Sequence, residues 1–545
     1  MTAEESDLPN PPPDSSSLWP FAPWGLALLL LGMGLAVWEP SPPGIWHDDG
    51  VYVLLGRSLA EGDGLRYVGI PGAPLAPKFP PLFPFLLSLV WSFFPKFPEN
   101  LELLGGVNQV LTALAGGVFV SYLTKVLKIS APFALAVTAF IWLSAHLWRV
   151  AWIPLSEPLF LLGLLLALWA GGRMESKRGA APAFLFLLMG GLALYSRTLG
   201  LAVLAAGALT LLWDGRRRAA LGITAGALGL YLPWVWWTRR AADTIPEALL
   251  DILGPYNGWL TAQIVQGPWD FVLFVLGSVG QLLGRILTLL TPGLPVPQLL
   301  MGAVVIPVLL LGLWELSKLS RLLVLTVFLS LGILVVWPFQ DLRLLVPFQP
   351  ILMLALVMGF RKLFYSMNLS PRLRLPVAVV GLAWGVLFGA VSVVRLAGGW
   401  SMESYGVRSA VLMDAARAVS EKTPSDAVVG APELWPGLHL LTGRTVVPSA
   451  RFRPLAGDDP VYGTPEQQYE IWISTGVTHI LVEHGGRVHG AALDRVDALC
   501  PPGTVQVLDS QPGRFLVALE WDAACQERVL REGQVPTSGT GQGEG

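Results

Sequence analysis

The sequence predicts a mainly α protein, a polytopic transmembrane helical bundle of about eleven spans followed by a small C-terminal soluble α/β domain. Three observations carry that prediction. Of the 545 residues, 53% are hydrophobic and 14% are charged, whereas an ordinary soluble domain carries roughly 25% charged residues. Apolar runs of spanning length recur from residue 21 to residue 396, with basic clusters in alternate connections. Beyond residue 398 the pattern stops: charges become frequent, and short β-rich runs alternate with helix-like stretches.

Residues 1–20 carry Glu4, Glu5, Asp7 and Asp14 among prolines and serines, without Lys or Arg. They read as a disordered cytoplasmic arm, not the basic start of a secretory signal, so the apolar run 21–38 reads as a retained anchor. The other spans are expected near 101–124, 131–148, 155–172, 181–196, 199–213, 219–237, 298–316, 321–338, 344–360 and 375–396. Two further apolar stretches, 80–94 and 271–290, are expected to lie against the outer interface, because crossing there would scatter the basic loops over both sides. With those two set aside, Lys125/Lys128, Arg173/Lys177/Arg178, Arg216/Arg217/Arg218, Lys318/Arg321 and Arg361/Lys362/Arg372/Arg374 share one side. The positive-inside rule makes that side the cytoplasm. The N-terminus is then cytoplasmic. Residues 21–397 form the membrane domain with an outer loop at 39–100, residues 398–531 are extracytoplasmic, and 532–545 read as a disordered tail. Strands are expected at 427–430, 478–482 and 514–519.

Composition also excludes. A net charge of −2 with no basic arm argues against nucleic acid, whose phosphates must be neutralised. The two cysteines, Cys500 and Cys525, cannot build a cysteine-ligated metal site. Placed outside the cytoplasm, they are expected to form a disulfide across a hairpin made of 505–508 and 515–519, with two separately buried thiols as the alternative.

The candidate chemistry sits in the predicted outer turns. In Trp46-His47-Asp48-Asp49-Gly50-Val51-Tyr52, an acidic pair opens a short helix whose Val51, Leu54, Leu55 and Leu59 share one face, as for a helix lying on the membrane. Gly62 can end it. One carboxylate caps the helix in the plain structural reading, most simply Asp49, and Asp48 is left for an acceptor at the lipid–water boundary. Lys78, in Pro77-Lys78-Phe79-Pro80-Pro81, is either a snorkelling lysine or a charge held for a phosphate. Glu157, before Pro158, is either a helix-start carboxylate or a functional acid at a span's outer end. Arg197 and Arg343 lie in short outer turns, where Asp341 is able to neutralise Arg343 locally.

The pattern of Asp48-Asp49 with Tyr52, then Arg57-Ser58-Leu59-Ala60-Glu61-Gly62, Lys78-Phe79-Pro80-Pro81, Ser156-Glu157-Pro158 and Arg343 with Pro347 resembles the GT-C superfamily. Over roughly residues 20–400 it is similar to the bacterial relatives of protein O-mannosyltransferases and of the transferases that add aminoarabinose to lipid A. The resemblance implies a transferase of the cell inner membrane that takes a sugar from a polyprenyl-phosphate carrier on the outer face. It implies Asp48 as catalytic base beside Asp49, where the family usually has glutamate. Lys78 and Arg343 are implied as ligands of the carrier phosphate, with Leu344 in place of the usual aromatic. Arg197 joins them as a cation in the same outer turns, with Glu157 and Tyr52 in support.

That residue set suits an inverting displacement, in which one carboxylate takes the proton of the attacking hydroxyl while cations stabilise the departing phosphate. The acceptor is a lipid, a glycan or a protein. No resident cofactor is implied, although an acidic pair is able to hold a divalent cation. Two other functions fit the same residues, a transporter or flippase of a lipid-linked sugar and a membrane sensor or assembly protein. The former would usually show internal repeats and broken midplane helices, and none is apparent.

Overall fold

The computed structural model describes residues 21–533 apart from 177–178, 257–263, 265–266, 294–297, 338, 340, 367–370, 432–433, 450–462, 484–486 and 513. The predicted N-terminal arm and residues 534–545 of the predicted tail lie outside the described residues.

The chain opens with α1 (Ala22–Val37), α2 (Asp48–Glu61), α3 (Leu82–Phe93), α4 (Leu101–Lys125), α5 (Ala131–Trp142) and α6 (Ala145–Arg149). There follow α7 (Glu157–Ser176), α8 (Ala180–Ser196), α9 (Leu201–Trp213), α10 (Arg217–Ala242), the single turn α11 (Leu250–Leu253) and α12 (Pro268–Leu290). The bundle ends with α13 (Gln298–Leu319), α14 (Arg321–Val335), a 3-10 helix (Leu342–Phe348), α15 (Gln349–Ser366) and α16 (Pro371–Ala397). Among the described residues seven helical stretches are long and apolar enough to cross a membrane, and six shorter apolar helices accompany them. The protein is a multi-pass membrane protein.

Small residues set the tightest crossing. A Cβ on Gly312 of α13 would overlap the Ala355 carbonyl of α15, and one on Gly359 would overlap the Val308 carbonyl, so these helices touch backbone to backbone. The basic connections gather at one end: Arg216 Nη1 donates to the Met174 carbonyl at 2.8 Å, Arg321 pairs with Asp214 at 3.0 Å, and Lys362 with Glu315 at 3.4 Å. The opposite end carries Asp48 and the turns around Arg197 and Arg343.

Three elements depart from the sequence prediction. The span expected at 131–148 breaks at Ser144, whose hydroxyl accepts from Gln349 Nε2 at 2.8 Å. The span expected at 344–360 starts as a 3-10 helix carrying Pro347. Helix α2 does not lie on a membrane surface: Val51, Tyr52, Val53, Leu54 and Leu55 are all buried, because α3 covers one side and the C-terminal domain another. Helix α3, at 12 residues, is too short to span. Helix α12 is 23 residues long and apolar enough to cross by length and composition. The chain before and after it, at Tyr256 and Gly293, lies at the Asp48 end, against Lys78 and against Arg395 of the last turn of α16.

The last part holds α17 (Trp400–Lys422), β1 (Val428–Ala431), α18 (Trp435–Thr442), β2 (Thr445–Pro448) and α19 (Pro465–Thr475), then β3 (His479–Glu483), α20 (Arg487–Leu499), β4 (Val505–Gln511), β5 (Arg514–Leu519) and α21 (Ala523–Gly533). The sheet order is β2-β1-β3-β5-β4, parallel across β2-β1-β3 and antiparallel beyond. Strand β2 is the one the sequence prediction missed; it is four residues long and ends on Pro448, a residue that argues against a strand. A disulfide joins Cys500 to Cys525 with Cα atoms 5.4 Å apart, tying the end of α20 to the start of α21.

Candidate active site

The site is built from the loop that enters α2. Asp49, fully buried, turns its carboxylate back along the chain and accepts the Gly44 N–H at 2.8 Å and the Trp46 N–H at 2.9 Å. Burial pushes Asp49 up to about 6, against the pull of those amides and that of Gly50. The helix boundary residue, His47, has φ +61° and ψ −67° and makes no capping hydrogen bond. Asp48, one residue earlier in the same helix, is rotated by about 100° from Asp49 around the helix axis and leaves that loop.

Asp48 forms an ion pair with Arg343 Nη2. Burial would raise the Asp48 carboxyl, but Arg343, His47 and Arg197 outweigh it and hold the group below the ordinary carboxylate range, so it is ionised. Arg343 is shared among acids. Its Nε lies 2.8 Å from Asp341 and 3.7 Å from Glu157. Asp341 also caps the 3-10 helix by accepting the Arg343 backbone N–H at 3.0 Å.

Glu157 is buried at the start of α7 and pairs with Arg197 at 2.6 Å. Arg197 also donates to Ser156 Oγ at 3.1 Å, and Ser156 Oγ hydrogen-bonds the Tyr52 hydroxyl at 2.8 Å. Tyr52 stands edge-on to Phe79 and Phe83, each 5.1 Å away, which sets the Lys78 turn against α2. Lys78 points inward, donating to the Ile252 carbonyl with its Nζ 4.5 Å from the Tyr256 ring centroid. Burial lowers its pKa to about 8, although Asp48 and Asp251 act to raise it.

Asp48, Lys78, Glu157, Arg197, Arg343 and Tyr52 thus come together, while Asp49 belongs to the loop beneath. Ser156 was quoted in the Ser156-Glu157-Pro158 motif without a role of its own, and Ile252 and Tyr256 were not singled out from the sequence; Tyr256 stands in a connection with no motif to mark it. The acidic pair does not converge on a common point, and the acids around Arg343 enclose a guanidinium. The donor set therefore does not fit a divalent cation, and no cluster of three or more metal-ligating side chains occurs among the described residues.

The fold, a helical membrane bundle with a carboxylate, arginines and a lysine gathered at one end under a small α/β domain, is also found in known membrane proteins. Two solved structures share it. The crystal structure of ArnT from Cupriavidus metallidurans bound to undecaprenyl phosphate superposes with a TM-score of 0.51 at 15% identity, covering 92% of this chain and 98% of that one. The apo structure of the same protein gives 0.51 at 16% identity, covering 92% and 97%. No protein-family model matches the sequence, and no curated protein matches it.

Proposed function

We propose that this protein is a membrane glycosyltransferase that moves a sugar from a polyprenyl phosphate to an acceptor hydroxyl on the outer face of the membrane. The observation that carries the proposal is the ionised Asp48 held against Arg343, with Arg197 and Lys78 beside them. One general base and several cations are what displacement of a lipid phosphate requires, since the phosphate leaves without strong acid help. ArnT, which shares the fold, binds undecaprenyl phosphate, and that supports the carrier class.

Asp48 takes the proton of the acceptor hydroxyl as its oxygen bonds to the anomeric carbon. The bond from that carbon to the phosphate oxygen breaks on the opposite face, which inverts the centre. The electron pair leaves with the polyprenyl phosphate, whose charge is met by Arg343, Arg197 and Lys78. Arg343 is already paired with Asp48, so an arriving phosphate competes for its guanidinium and frees the carboxylate to act. Glu157 holds Arg197 and lies close to Arg343, and Tyr52 holds Ser156 beneath Arg197. In this reading the N-terminus is cytoplasmic and the C-terminal domain extracytoplasmic.

The test is turnover of undecaprenyl-phosphate-linked mannose, glucose and aminoarabinose by the purified protein with envelope extract as acceptor, read as released undecaprenyl phosphate. Release that requires the acceptor fraction supports the proposal. Absence of release with every donor, together with movement of a labelled donor across vesicles, would instead make the protein a transporter.

A further inference from the structure

The chemistry proposed above makes no use of the C-terminal domain, yet that domain is packed against the loop that aims Asp48. Trp435, fully buried at the start of α18, stands edge-on to His47 with ring centroids 5.8 Å apart and to Tyr67 at 6.0 Å. The next residues meet the loop backbone directly. A Cβ on Gly44 would lie 2.5 Å from Gly437 Cα, one on Gly50 would lie 2.7 Å from Pro436 Cβ, and one on Gly437 would lie 2.8 Å from the Pro43 carbonyl. Arg408 of α17 covers the same loop, with its guanidinium 4.0 Å from the Trp46 ring centroid and a hydrogen bond to the Ile45 carbonyl at 3.3 Å. Farther along, strand β2 takes the Gly69 carbonyl as acceptor for Val446 N–H at 2.8 Å.

This packing encloses a strained residue. His47, with φ +61° and ψ −67°, lies where side-chain-bearing residues rarely sit. Such a conformation persists only where the surroundings over-determine it, and it occurs most often at functional sites. Asp49 clamps the loop from below, through Gly44 and Trp46. The domain clamps it from above, through Trp435 and Gly437.

We propose that the C-terminal domain is part of the active site: Trp435 and Gly437 are positioning residues that hold His47 in its strained conformation and so direct Asp48 at the acceptor hydroxyl. The inference rests on Asp48 acting as the base. It predicts a loss in the chemical step and not in donor capture, because the donor phosphate is met by Lys78, Arg197 and Arg343, whereas Trp435 stands against His47 and Tyr67 and Gly437 against the Gly44 backbone.

The experiment compares kcat, donor KM and thermal unfolding of the full-length protein, with the undecaprenyl-phosphate-linked sugar that the wild type turns over. Gly437→Ala and Trp435→Ala are expected to lower kcat by about tenfold or more, since small misplacements of a reacting group are costly, with donor KM within about twofold of wild type. Trp435→Phe keeps an aromatic ring at the contact and loses the five-membered part of the indole, whose N–H has no hydrogen-bond partner among the described residues; it is expected to lose less kcat than Trp435→Ala. Val529→Ala, in the buried face of α21 and away from the junction, is expected to lower the melting temperature while leaving kcat per folded molecule unchanged. Wild-type kcat in Gly437→Ala overturns the proposal. So does a kcat loss in Val529→Ala equal to that in Gly437→Ala at the same drop in melting temperature, because the domain would then matter only for stability. A wild type that turns over no donor refutes the functional proposal itself, a result distinct from either of these.

Discussion

Replacing each of two adjacent aspartates by asparagine separates chemistry from architecture. In Asp49→Asn the carboxylate oxygens that accept from Gly44 at 2.8 Å and Trp46 at 2.9 Å become one carbonyl and one NH2 group. The NH2 faces a backbone donor, so a fully buried N–H loses its acceptor, at a cost of about 1–3 kcal/mol. Exchange of a charged acceptor for a neutral one at the other amide adds about 1 kcal/mol, for a total of roughly 2–4 kcal/mol. Asp48→Asn behaves differently. The Asp48 side chain is 22% exposed, and Arg343 keeps Asp341 at 2.8 Å and Glu157 at 3.7 Å, so the expected loss of stability is below about 1 kcal/mol. Removal of the basic oxygen, however, is expected to lower kcat by about 10²–10⁴-fold. Thermal unfolding followed by tryptophan fluorescence and donor turnover on the same preparations give both numbers. An Asp48→Asn protein that keeps wild-type turnover, or an Asp49→Asn protein that is fully stable yet inactive, would show that the roles have been assigned the wrong way round.

Lys78→Ala and Arg343→Ala are each expected to weaken binding of undecaprenyl phosphate by about tenfold or more, the usual worth of a charged hydrogen bond; titration of the free carrier into detergent-solubilised protein measures it. His489, buried and hydrogen-bonded to Ser449 Oγ at 2.8 Å, is held neutral by burial, which lowers its pKa to about 4 from 6.5. Its contribution to stability is therefore complete above about pH 6.5 and is lost as pH falls toward 4, by about 3 kcal/mol in all. Denaturation of the C-terminal domain at pH 7 and pH 4.5, repeated on His489→Gln, should show the acid-induced loss in the wild type and its reduction in the variant. Cys500→Ser with Cys525→Ser opens a loop with a sequence separation of 25 and is expected to cost about 3 kcal/mol, read as a lower denaturant midpoint that matches the reduced wild type.

Composition and apolar run length by themselves determined that the chain is a polytopic helical membrane protein with a mixed domain at its end. The bilayer explains why, since it admits only segments of a certain length and polarity, and that constraint can be read locally in a window of about 20 residues. The candidate acids and cations were also legible, because a charged residue in a short turn between apolar spans stands out against its surroundings. Tertiary structure alone decided how they are shared. Asp48 and Asp49 are neighbours in sequence and look alike there, but the rotation between successive helical residues and the packing around α2 send one carboxylate to Arg343 and the other into the Gly44–Trp46 loop. The amphipathic period of α2 pointed to a surface helix, because periodicity reports one apolar face and is silent on what covers the other. Here α18 covers it, and that contact arises from a domain nearly four hundred residues further along the chain, out of reach of any local pattern. The same holds for Tyr256 beneath Lys78 and for Glu157 between two arginines: each pairing depends on helix packing, a property of the whole bundle that no single segment encodes.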